Sequence, residues 1–85
     1  MATEHILDWF GANVRTLRET QNLTQQELAE TLRVDPRYVR RVESGEVNVG
    51  LITVAKFANA LGVEPARLIE QAALQRRKAG RPKIG

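Results

Sequence analysis

The stretch Leu23-Thr24-Gln25-Gln26-Glu27-Leu28-Ala29-Glu30-Thr31-Leu32-Arg33-Val34-Asp35-Pro36-Arg37-Tyr38-Val39-Arg40-Arg41-Val42-Glu43-Ser44-Gly45 contains two helix starts and one short connection. Thr24 and Glu27 have the spacing of a capping box, in which the hydroxyl accepts the third helical N–H and the carboxylate reaches back to the Thr24 amide. Leu28, Ala29 and Leu32 then give that helix a buried face. Asp35-Pro36 opens a second helix. The aspartate accepts an orphan amide N–H, and proline suits the first helical position because an N–H there would be unsatisfied anyway. Gly45 closes this helix. Only Arg33 and Val34 separate the two, so they are joined by a tight turn.

Working outward, Ile6, Leu7, Phe10, Val14 and Leu17 form one stripe at helical spacing, which predicts a helix over about Thr3–Thr20. Gly11 lies inside that pattern and weakens it unless close packing needs a small residue there. Downstream, Leu51, Val54, Phe57, Ala58 and Leu61 define a fourth helix that Gly62 stops. Pro65 opens a fifth, predicted over about Pro65–Lys78. Beyond it, Gly80, Pro82 and Gly85 lie among basic residues with no apolar period. The expectation is an all-α fold of five helices around one core. Residues 1–78 form the domain, the paired helices cover about 24–44, and residues 79–85 form a basic tail.

At 85 residues, the chain has room for one small core and no deep substrate pocket. It has no cysteine, one histidine (His5) and one serine (Ser44), so a nucleophile–base pair, a disulfide framework and a zinc–cysteine site are all excluded. No enzyme activity, metal or cofactor is expected. No apolar run reaches the roughly 18 residues of a membrane span, and the expected setting is the cytoplasm, on the nucleoid when bound. Charge is unevenly placed. Residues 1–75 sum to −2, whereas residues 76–85 carry +5 with no acid. A second basic cluster, Arg33, Arg37, Arg40 and Arg41, has only Asp35 against it. This is the footprint of a polyanion binder. A solvated charged face with a solubilising tail is the plainer alternative.

The helix opened by Asp35 favours the first reading. With Val39 set at zero, Val42 falls at about 300° and marks the core side, whereas Arg40, Ser44, Arg37 and Arg41 fall at about 100–200°. Arginines at i, i+3 and i+4 repel one another, a cost that a negatively charged partner offsets. A helix of this size fits the major groove of B-DNA, where a guanidinium bonds bidentately to guanine O6 and N7. The preceding helix would cross the backbone with its amides and Gln25 toward a phosphate, in helix-turn-helix geometry.

The run from Leu23 to Gly45, with Phe10-Gly11, Asn13-Val14-Arg15, Leu17-Arg18 and Ala58-Asn59-Ala60-Leu61-Gly62-Val63, resembles the phage repressor/Cro family, the xenobiotic-response-element type. Tyr38-Val39, Glu43, Gly45, Asn48-Val49 and Leu51 are most similar to its small stand-alone restriction–modification controller proteins. The resemblance implies a transcriptional regulator that binds double-stranded DNA as a homodimer. It implies that Thr24 and Gln25 lie at the phosphate backbone, with Gln25 also supporting the recognition helix. Arg37, Arg40 and Arg41 would read base edges and adjacent phosphates, and Ser44 and Asn48 would lie near the backbone. Tyr38 would divide between packing and backbone contact, and Arg18 and Glu43 would form a structural ion pair linking helices one and three.

Three residues depart from the family pattern. Arg33 stands where the turn usually has glycine, whose tolerance of positive φ suits that position. Pro36 stands where relatives place a base-reading side chain, which shifts base reading to Arg37 and Arg41. Gly50 replaces a serine cap.

Ile69 and Ala73 form an apolar strip on the fifth helix and are candidate dimer contacts, the alternative being that they cover helix one near Trp9. The tail carries Gly80-Arg81-Pro82, the centre of a minor-groove AT-hook, although Ala79 replaces the usual preceding arginine. Arg81 and Lys83 therefore read either as a minor-groove arm or as general phosphate attraction. A reading of another class is an antitoxin-type interaction module whose C-terminal segment folds on a partner protein.

Overall fold

In the computed structural model, which describes residues 5–72, α1 (Ile6–Thr20) turns Phe10 and Val14 inward, with Leu17 half-buried beside them. α2 (Gln25–Leu32) starts on the complete capping box. Thr24 Oγ1 accepts the Glu27 N–H at 3.0 Å, and the Thr24 N–H reaches Glu27 Oε1 at 2.8 Å. α3 (Pro36–Glu43) starts on Asp35, whose Oδ1 accepts the Arg37 N–H at 2.7 Å. α4 (Leu51–Leu61) ends on Gly62, and α5 (Pro65–Leu68) follows. The fold is all-helical, as the periodicity requires.

Phe57 of α4 sits at the centre of the core, with its ring edge-on to Phe10 at 5.5 Å and 77°, an arrangement that suits the aromatic quadrupole. Leu28, Ala29, Val39, Val42, Val54, Ala58, Leu61 and Leu68 fill the space around the two rings. Gly11 explains how closely α1 and α3 approach. A β-carbon there would collide with the Val42 carbonyl oxygen and come within 2.7 Å of the Glu43 carbonyl oxygen. Close packing does need a small residue at this point, and both obstacles are backbone.

Two expectations need correction. Helix five does not run on from Leu68: the chain bends at Ile69, and residues 69–72 are not helical. The cause lies on α1. Asn13 Nδ2 donates to the carbonyls of Leu68 at 2.9 Å and Glu70 at 2.8 Å, groups that a continuing helix would pair with its own amides. Residues 73–78 of the expected helix lie outside the described residues. Leu51, expected on the buried side of α4, is 86% exposed because it precedes the first residue that reaches the core, Val54. α1 is described from Ile6, and its expected start near Thr3 lies outside the described residues. No described helix is long and apolar enough to cross a membrane.

Candidate nucleic-acid interface

α3 has two chemically opposite sides. Val39 and Val42 are buried in the core, whereas Arg37, Arg40, Arg41 and Ser44 are exposed. Beneath this exposed face lies a buried polar cluster. Arg18 of α1 donates from Nε to Glu43 Oε2 at 2.6 Å and from Nη2 to Oε1 at 3.1 Å. The two side chains are 11% and 4% exposed. Arg18 Nη1 donates to the Leu23 carbonyl at 2.8 Å, and Gln25 Nε2 donates to Glu43 Oε1 at 3.0 Å. Hydrogen bonding to Glu43 raises the Arg18 pKa, and desolvation partly opposes it. Glu43, on the last turn of α3, is thus tied to α1 and to the first residue of α2, which fixes the tilt of the arginine face.

Each arginine has its own surroundings. Arg37 donates from Nε and Nη2 to the Asp35 carboxylate at 3.2 and 3.0 Å. Together with the Arg37 backbone N–H, this holds the Asp35 pKa at about 2, from an ordinary 3.8. Arg41 Nε lies 3.7 Å from Glu46 Oε1. Arg40 makes no side-chain ion pair among the described residues, although its charge adds to the field on Asp35. Tyr38 is half-buried, its ring tilted against Phe57 at 6.4 Å, so it joins the arginine face to the core.

The other expected positions fall as follows. Thr24 is exposed at the start of α2, with its hydroxyl used by the cap. Ser44 donates its hydroxyl to the Arg40 carbonyl at 3.1 Å. Asn48 is exposed in the loop between α3 and α4. Ile69 is 42% exposed on the turn after α5. Ala73, Arg81 and Lys83 lie outside the described residues. Arg33 sits at φ +62°, the left-handed conformation that glycine would adopt more easily, so the turn is kept and the residue carries the strain. Gly50 caps α4 with no side-chain bond.

Two structural consequences escape sequence reasoning. Asn13 ends α5, and its signal was a polar side chain three residues from Phe10 on an otherwise apolar stripe. Asp35 is recognisable in the sequence as a cap, but its second contact, with the guanidinium two positions on, is not.

Comparison with known proteins matches residues 14–68, from mid-α1 through α5, to the helix-turn-helix family of the Cro/C1 type. The chain belongs to that family. It is 35% identical over 69 residues to the control protein C.BamHI of Bacillus amyloliquefaciens, covering 80% of this chain and 85% of that one. It is 35% identical over 70 residues to the control protein C.SmaI of Serratia marcescens, covering 82% and 83%. The crystal structure of the restriction–modification controller protein C.AhdI from Aeromonas hydrophila superposes with a TM-score of 0.69 at 42% identity, covering 73% of this chain and 94% of that one. The chain is a helix-turn-helix DNA-binding regulator, and these relatives are regulators rather than enzymes.

Proposed function

We propose that this protein is a homodimeric transcriptional regulator that sets one α3 into each of two successive major grooves of a pseudo-palindromic operator. The observation that carries this reading is the exposed face of Arg37, Arg40 and Arg41, held from beneath by the buried Arg18–Glu43–Gln25 cluster. Arg37 and Arg41 read base edges, and Arg40, Thr24, Gln25, Ser44 and Asn48 serve the backbone. Arg81 and Lys83 in the basic tail add phosphate or minor-groove contacts. The relatives named as control proteins of restriction–modification systems point to the same regulatory class.

The apolar surface that suits a second copy lies on α4. Leu51 and Ile52 are 86% and 72% exposed, and the whole helix carries one charge, Lys56, and no carboxylate. A two-fold pair sets a patch against itself, which an uncharged patch tolerates without repulsion. Ile69 offers a smaller apolar contact on the turn after α5.

The test is selection of bound duplexes from a randomised library at about physiological salt. A two-fold motif with half-sites about 10–10.5 bp apart, or a multiple of that, supports the reading. Retention of DNA with no enriched sequence overturns it.

A further inference from the structure

The corner Asp35-Pro36-Arg37 joins a helix cap to a base-reading side chain. Asp35 Oδ1 accepts both the Arg37 backbone N–H at 2.7 Å and the Arg37 Nε–H at 3.2 Å, while Oδ2 accepts from Nη2 at 3.0 Å. Pro36 stands between them with its φ fixed by the ring, which removes one backbone rotation from the link between the carboxylate and the guanidinium. The carboxylate occupies one edge of the guanidinium, the edge formed by Nε and Nη2. The end of the fork remains, where Nη1 and the second N–H of Nη2 point away from Asp35. That end is a two-pronged donor matching guanine O6 and N7.

Capping alone does not call for an aspartate. Asparagine and serine accept the same amide N–H about as well. What aspartate adds is a second oxygen and a negative charge, and both are engaged with Arg37. The charge also acts on the surroundings, because a carboxylate at the groove-facing end of α3 repels phosphates. An arginine without such a neighbour binds any backbone oxygen it meets.

We propose that Asp35 is a positioning residue for base reading: it grips one edge of the Arg37 guanidinium, presents the other to a guanine, and penalises phosphate contacts in non-cognate registers. The inference rests on the assignment of Arg37 to a base edge. It also accounts for Pro36, which stiffens the link at a position where it reads no base itself.

The experiment uses the duplex that the wild-type protein selects from a randomised library, with each base pair substituted in turn. Binding is compared for wild type, Arg37→Ala, Asp35→Asn and Asp35→Ser, with matched thermal melts to check folding. Arg37→Ala identifies the base pair it reads. Both Asp35 variants keep a cap, so each is expected to flatten the guanine preference at that same base pair by about tenfold. They are also expected to bind a scrambled duplex about two- to fivefold more tightly, because a repulsive element has gone. If Arg37→Ala removes the preference while both Asp35 variants keep it within about twofold of wild type, the positioning role is overturned and the base assignment survives. If Arg37→Ala leaves every preference intact, the base assignment fails and the inference fails with it.

Discussion

Arg18 and Glu43 lie 25 residues apart in sequence, yet they meet through two hydrogen bonds of 2.6 and 3.1 Å beneath the arginine face of α3. The pair is buried, so each charge depends on the other for solvation. Either Arg18→Ala or Glu43→Ala leaves an uncompensated buried charge and should lower stability by about 3–5 kcal/mol, read from urea denaturation. A paired replacement, Arg18→Met with Glu43→Leu, should recover most of that loss but weaken operator binding, because α3 is no longer tied to α1 and Gln25. Single variants losing less than about 1 kcal/mol would place the pair with surface ion pairs instead.

Arg33 occupies a left-handed backbone conformation at φ +62°. Asn22 does so too at φ +59°, but asparagine tolerates that region better than arginine. For Arg33→Gly, relief of about 1–2 kcal/mol of local strain exceeds the extra freedom of the unfolded chain, so thermal unfolding should move upward. The same variant removes an exposed cation and should weaken binding to non-specific DNA. A lower melting temperature would mean that the turn does not need the conformation glycine favours.

The caps, the tight turn and the arginine face were legible in the sequence because each rests on neighbours within one or two helical turns. Thr24 with Glu27, and Asp35 with Pro36, are local chemistry, and the outward set of Arg37, Arg40 and Arg41 follows from helical spacing alone. The Arg18–Glu43 pair came only through family resemblance, since nothing local joins α1 to the end of α3. The close approach at Gly11 was legible as a condition, and the Val42 and Glu43 carbonyls supply its reason. The early end of α5 was not legible. Pro65 and the apolar spacing promised a longer helix, and the group that ends it, Asn13, lies 55 residues upstream of Leu68. Exposure of Leu51 was hidden for a similar reason. Helical spacing assigns a side chain to a face but does not say how far the core extends along it.

Asp35 should titrate well below the ordinary carboxylate range. Its pKa of about 2 lies under the ordinary 3.8, held down first by the Arg37 side chain and then by the Arg37 amide. The contribution is therefore fully present above the ordinary value and is lost as pH falls toward 2. A side-chain carboxyl titration followed by NMR should give that midpoint in wild type and a higher one in Arg37→Ala. An unchanged midpoint in that variant would show that the guanidinium does not hold the carboxylate in solution.

Leu51 and Ile52 project from the first turn of α4, outside the core. Replacing both by glutamate should leave folding nearly unchanged, within about 0.5 kcal/mol per site. It should convert a dimer into a monomer in sedimentation velocity, because the two-fold operation places like charges face to face. Binding should then fall to that of a single half-site. A dimer that persists in the doubly substituted protein would move the interface elsewhere, with Ile69 and the residues after it the next to test.

The role proposed for the exposed face of α3 is to read the major groove. Methylation interference on the selected duplex separates the two grooves, because a methyl group on guanine N7 projects into the major groove and one on adenine N3 into the minor groove. Interference is expected at guanine N7 in two clusters with centres about 10–10.5 bp apart or a multiple of it, with the clusters weakened in Arg37→Ala and Arg41→Ala. Interference confined to adenine N3, or none at guanine N7, would overturn the major-groove role of α3 and leave the basic tail as the DNA-binding element.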